Sequence, residues 1–126
     1  MICGIGIDIS QVERIRRAHE RFGERFLDRI YTTVEQAYCF RKKYPYESLA
    51  ARFAVKEAAF KALGHGWSAC GGYRSVEVVN EPSGCPTLRF YGKARMIADT
   101  LAVSRSFVTI THDGGISAAV VVLERN

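Results

Sequence analysis

No apolar run in this 126-residue chain approaches the ~20 residues a membrane-spanning helix needs, so no transmembrane segment is expected. The opening Met-Ile-Cys-Gly-Ile-Gly-Ile-Asp has no basic n-region and carries a charge at position 8, unlike a secretory leader. Cysteine is sparse: Cys3, Cys39, Cys70 and Cys85 form no C-x-x-C and no zinc pattern with the three histidines. Free thiols in a reducing cytoplasm are the simplest expectation. Repeats, low-complexity segments and linker-like stretches are missing. A P-loop, a kinase glycine-rich loop and H-E-x-x-H are absent as well, which excludes the common NTPase, kinase and zincin chemistries.

What remains is the composition of one ordinary globular domain, expected to span 1–126, with 48% hydrophobic and 25% charged residues. Its net charge is +5 and unevenly placed. Residues 11–29 carry six arginines (14, 16, 17, 21, 25 and 29) against four acids, and Arg41-Lys42-Lys43 follows. A basic face of this kind suits an acidic partner: nucleic acid, a membrane surface, an acidic protein or a phosphorylated ligand.

The chain divides by period. Residues 2–7 read as a short apolar strand with Asp8 at its end. Ser10-Gln-Val-Glu13 has capping-box spacing and predicts a helix, with Val12, Ile15, His19 and Phe22 inward, broken at Gly23. A short piece follows around Phe26–Ile30. Thr32-Thr-Val-Glu35 opens a helix to about Lys43, and Pro45 separates it from a long helix. Beyond Gly64-His65-Gly66 the pattern turns strand-like. Ser75–Val79 and Thr87–Tyr91 flank a turn, Lys93–Ala102 is amphipathic, and Ser106–Thr111 and Ile116–Leu123 flank Asp113-Gly-Gly115. The expectation is α+β, with helices mainly in the first half packed on a mostly antiparallel sheet.

The long helix carries the chemistry. Arg52-Phe-Ala-Val-Lys56-Glu57-Ala-Ala-Phe60-Lys61-Ala-Leu-Gly64 is alanine-rich and ends at glycine. At roughly 100° per residue, Leu49, Phe53, Phe60 and Leu63 share a stripe with Lys56 in its middle. Glu57 and Lys61 lie four apart along its edge, the spacing of an ordinary salt bridge. Charges on so apolar a helix are costly unless paired, and they concentrate at functional sites. Asp8 and Glu57 are hard oxygen ligands suited to magnesium, which takes one or two carboxylates with phosphate oxygens and water. Arg52, Lys61 and His112 suit phosphate oxygens. Together they fit transfer between phosphates.

With Gly4-Ile-Gly-Ile-Asp8, the 52–64 helix, the Glu81-Pro-Ser-Gly-Cys-Pro86 turn and Thr109-Ile-Thr-His112, the chain resembles the short bacterial 4′-phosphopantetheinyl transferases of the holo-acyl-carrier-protein synthase type. The resemblance spans nearly the whole length. It implies transfer of phosphopantetheine from coenzyme A to a serine of apo acyl carrier protein for fatty acid biosynthesis, with magnesium, releasing adenosine 3′,5′-bisphosphate. It implies Asp8 and Glu57 on the metal, and Glu57 or a metal-bound water as base. Lys61 would meet the leaving phosphate, and Arg52 and His112 the coenzyme phosphates. Gly64, His65 and Gly66 would pass close to the coenzyme, with Pro86 near the adenine. It also implies a cytoplasmic homotrimer with active sites between subunits, and docking of the acidic carrier on Arg14, Arg17 and Arg21. His65 stands where threonine is commoner in that family, and Thr109 and Thr111 where serine is.

Rival readings differ in one feature each. An RNA-binding module would share the basic charge but leaves Glu57 on an apolar helix unexplained and lacks aromatic strand and KH-type motifs. The secondary-metabolism transferases are about twice this length. A different magnesium phosphotransferase on a similar fold is the third. The reading adopted involves no nucleic acid and no membrane.

Overall fold

The computed structural model describes residues 1–126. Its centre is a 19-residue helix, α4 (Pro45–Leu63), and the sequence explains both of its ends. Pro45 occupies the first turn, where its missing N–H costs nothing. Gly64 closes the helix at φ +78, a left-handed conformation that a side chain would strain. The helix is buried on most sides, as its alanine content predicts.

One sheet has the order β1 (Ile2–Gln11), β5 (Ile116–Glu124), β4 (Arg105–Asp113), all antiparallel. Ala54, Ala58 and Ala62 of α4 pack with Ala119, Val121 and Leu123 of β5 to form the main core. The helix also lies directly on β1, and two glycines make this possible. A Cβ on Gly6 would sit 1.9 Å from the Ala58 carbonyl oxygen, and one on Gly4 would sit 2.1 Å from that of Ala62. Neither distance is physically attainable, so any side chain at these positions would push α4 off the sheet.

A second core joins α1 (Val12–Phe22), α2 (Glu24–Ile30) and α3 (Thr33–Phe40) to the first half of α4, through Ile15, Leu27, Tyr31, Cys39 and Leu49. A single 3₁₀ turn (Tyr73–Ser75) leads into the two-stranded sheet β2 (Val76–Asn80) and β3 (Pro86–Phe90). Helix α5 (Gly92–Thr100) precedes β4. The α+β layout is the one the sequence predicts.

Lys56, inside the apolar stripe, is fully buried. Its Nζ donates to Glu35 Oε1 at 2.8 Å and to the carbonyls of Val76 and Tyr73 at 2.6 and 3.1 Å. Glu35 Oε2 accepts the Val78 N–H, so the pair is satisfied on every side and ties α3 and α4 to β2. Burial pushes the Lys56 amine below its ordinary range, with Glu35 opposing.

Several expectations are corrected. Asp8 does not end its strand, because β1 continues to Gln11. Helix α1 therefore starts at Val12 with no side-chain cap, and Ser10 is buried in the ladder opposite Ser117 rather than capping. Phe22 is exposed. The Thr32–Glu35 capping box is present in both directions, but α3 stops at Phe40 rather than near Lys43. Strand β5 runs through the middle of its sheet with its inward side buried, and the longest row of exposed apolar side chains is on β1, at Ile5, Ile7 and Ile9.

Candidate active site

Close packing of α4 on β1 sets Asp8 beside the last turns of the helix. Lys61 Nζ donates to Asp8 Oδ1 at 3.1 Å and to the Ile7 carbonyl at 2.9 Å. Asp8 is mostly shielded while Lys61 is half exposed. Glu57, one turn earlier, does not pair with Lys61 as the four-residue spacing suggests. Its Oε1 instead accepts from the Tyr73 hydroxyl at 2.6 Å. Each carboxylate thus has one oxygen held by a protein donor and keeps the other without a hydrogen-bond partner. No group of three or more His, Cys, Asp and Glu side chains is assembled anywhere. A cation needing a complete protein cage is not served here. Magnesium, which accepts one or two carboxylates with substrate oxygens and water, needs no such cage.

The second group lies in a separate cleft of about 640 Å³, walled by α4, the 80–86 turn and β4. Arg52, Pro86 and His112 line it; Asp8, Glu57 and Lys61 do not. Arg52 is nearly buried, its guanidinium over the Tyr38 ring at 4.2 Å. It donates to Ser48 Oγ at 3.2 Å and to Asn80 Oδ1, while its buried Nε has no partner. Most of its five N–H groups therefore remain uncommitted. His112 Nδ1 lies 3.2 Å from Glu47 Oε1.

The cleft also holds residues that the sequence places on a basic face (Lys42, Lys43) or in packing (Tyr38) rather than at a site. Lys42 and Lys43 bring positive charge to its rim, and Tyr38 and Tyr44 bring aromatic surface. The Arg41-Lys42-Lys43 run was a visible signal, read only as part of a basic face. Nothing local pointed to Glu47 or Asn80.

Gly64, His65 and Gly66 do not line the cleft; they follow directly on the last turn of α4, where the Gly64 N–H donates to the Lys61 carbonyl at 3.1 Å. A Cβ on either glycine would meet nothing within 4 Å, so the space before this loop is open. His65 faces a depression with Met96, Ile97, Thr100 and Leu101 of the α5 end, and its Nδ1 lies 3.1 Å from the Leu63 carbonyl.

The predicted arginine face is split. Arg14 lines a groove of about 420 Å³ with Ile15, Phe22, Phe53 and the α2 arginines Arg25 and Arg29. Arg17 pairs with Glu13 at 3.4 Å, and Arg21 lies over the Phe22 ring. Both are exposed and neither lines the groove. His19, read as a helix-side residue, contacts the Tyr46 hydroxyl at 2.8 Å.

The site thus consists of a strand-held carboxylate bound to a helix lysine, a second carboxylate one turn along that helix, and, apart from them, a cleft lined by cationic side chains, all carried by an α+β fold. Residues 4–121 match the family described as the 4′-phosphopantetheinyl transferase superfamily. The chain belongs to this superfamily, among its holo-[acyl-carrier-protein] synthases. It is 46% identical to the holo-[acyl-carrier-protein] synthase of Koribacter versatilis (strain Ellin345), over 98% of this chain and 99% of the relative. The crystal structure of the Neisseria meningitidis holo-[acyl-carrier-protein] synthase superposes with a TM-score of 0.89 at 31% identity, over 99% of this chain and 100% of that one. The Helicobacter pylori enzyme, in complex with coenzyme A, gives a TM-score of 0.84 at 31% identity, over 95% of this chain and 99% of that one.

Proposed function

We propose that this chain transfers the 4′-phosphopantetheine group of coenzyme A to a serine of apo acyl carrier protein, serving fatty acid biosynthesis in the cytoplasm. The observation that carries this reading is the α4–β1 junction, where Lys61 is held against Asp8 and Glu57 lies one turn away. The Helicobacter pylori relative, described in complex with coenzyme A, supports the same substrate for this chain. Four free cysteines suit the reducing compartment.

In this reading the serine oxygen attacks the phosphorus that bears pantetheine. The bond from that phosphorus to the adenylate-side oxygen breaks, and adenosine 3′,5′-bisphosphate departs. The serine proton passes to the Glu57 carboxylate, or to a water that Glu57 orients. Lys61 donates to the departing phosphate oxygen. Asp8 and Glu57 are the residues that would hold magnesium. When bound, it would supply positive charge against the diphosphate.

Arg52 and His112, with Lys42 and Lys43, are assigned to the coenzyme phosphates, Pro86 to the adenine, and Gly64, His65 and Gly66 to passage of the coenzyme. Because the cleft and the α4–β1 group are separate within one chain, a homotrimer is the assembly we favour. There, the cleft of one subunit would face the carboxylates of the next. The exposed apolar row Ile5, Ile7 and Ile9 supports such an interface. The arginines of α1 and α2 would receive the acidic carrier.

The test is direct. With apo acyl carrier protein, coenzyme A and magnesium, mass spectrometry should show the phosphopantetheine addition. Asp8→Ala and Glu57→Ala should each remove nearly all of it while the protein stays folded. Full activity in excess EDTA would sink the metal assignment, and full activity of both variants would sink the assigned carboxylates.

A further inference from the structure

Tyr73 lies 16 positions beyond Glu57, at the start of the 3₁₀ turn, and is held from several directions. Its ring stacks with Phe53 at a centroid distance of 5.4 Å and with Trp67 at 5.7 Å, with interplanar angles of 23° and 16°. Phe60 meets it edge-on at 5.6 Å. Its backbone carbonyl accepts from the buried Lys56 Nζ at 3.1 Å. Two consecutive residues of α4 therefore grip the same tyrosine, Lys56 at the carbonyl and Glu57 at the hydroxyl.

Taking Glu57 as the catalytic carboxylate proposed above, we infer that the Tyr73 hydroxyl is a positioning group for the reaction. It fixes the Glu57 side chain in one orientation by donating to Oε1. A glutamate half open to solvent has three side-chain torsions, and an unheld one spreads over several rotamers. A donor on a ring clamped by three aromatics removes that spread before substrate arrives. Fixing Oε1 leaves Oε2 free to face the incoming serine or a metal. Phe53, stacked on Tyr73, also lines the arginine groove, so the clamp adjoins the surface assigned to the carrier.

Two variants separate this role from packing. Tyr73→Phe keeps the ring and the backbone carbonyl and removes only the hydroxyl; Tyr73→Leu removes the ring as well. Tyr73→Phe should lower kcat on the order of tenfold, because a hydrogen bond to a charged group is lost. The KM values for coenzyme A and for carrier protein should stay within about twofold, and the thermal midpoint within a few degrees. Tyr73→Leu should lower both kcat and the midpoint. Wild-type kcat in Tyr73→Phe, whatever Tyr73→Leu does, would overturn the inference and leave only packing. An active Glu57→Ala variant would instead bring down the reading on which it rests.

Discussion

Lys61 Nζ lies 3.1 Å from Asp8 Oδ1, joining the last turn of α4 to β1 across 53 positions of sequence. The nearer acid, Glu57, is the same-helix neighbour that spacing favours, yet it is held by Tyr73. Lys61 therefore answers to the sheet and not to its own helix, and the reason is how closely α4 lies on β1.

That closeness makes Gly6 a sharp test of the packing. Gly6→Ala places a methyl 1.9 Å from the Ala58 carbonyl oxygen, where neither backbone can yield cheaply. The expected loss is about 2–3 kcal/mol or more, read as a lower urea midpoint. Activity should fall with it, because the Lys61–Asp8 contact depends on the same approach. A midpoint equal to wild type would mean that α4 can lift from the sheet at little cost.

Charge reversal should map carrier docking. Arg14→Glu with Arg25→Glu, both in the groove, should raise the KM for carrier protein by about tenfold or more and leave that for coenzyme A nearly unchanged. Arg17→Ala and Arg21→Ala should do less, since Arg17 is already paired with Glu13 and neither lines the groove. Screening over ~8–10 Å makes activity at low carrier concentration fall as salt rises. If Arg17→Ala proves worse than the groove pair, the carrier lies on the other side of α1.

Assembly can be addressed on the open face of β1. Ile7 is 61% exposed between Ile5 and Ile9, and Ile7→Lys would put a charge at the centre of that row. The wild-type mass by light scattering should be three chains, and that of Ile7→Lys one. Transfer should be lost together with the trimer. A monomeric wild type with full activity would refute intersubunit sites.

Alkaline pH should weaken the fold. Burial raises the Tyr31 and Cys39 groups above their ordinary values of 10.0 and 9.0, and Tyr73 is raised by burial and Glu57. A raised pKa means that the folded state keeps a proton the unfolded chain gives up. The stabilisation is whole below about pH 9 and is lost as pH climbs through the folded values. Cys70 and Tyr91 are raised as well, so Lys56, lowered by burial and acting in the opposite sense, is one group against five. The urea midpoint should therefore drop between pH 8.5 and 11, by a smaller amount in Tyr73→Phe, on the order of one group's share. A flat profile would show that these groups ionise in the folded state as easily as in the unfolded chain.

Much of this molecule is written locally. Pro45 and Gly64 bound α4, Thr32 and Glu35 cap α3, and Asp113-Gly114-Gly115 turns β4 into β5, because each signal acts within a few residues of backbone. The 52–64 helix and the Gly4–Asp8 segment likewise carry, by residue type and spacing, the resemblance to the superfamily to which the chain belongs. Partnership was a different matter. Ser10 and Glu13 match a capping box, but pairing of β1 with β5 extends the strand to Gln11 and overrides the local preference. Lys56 finds Glu35, Glu57 finds Tyr73, and Lys61 finds Asp8 at separations of 21, 16 and 53 positions. A buried or half-buried charge takes the donor or acceptor that packing brings near, and packing here is decided by two glycines that admit a helix onto a strand.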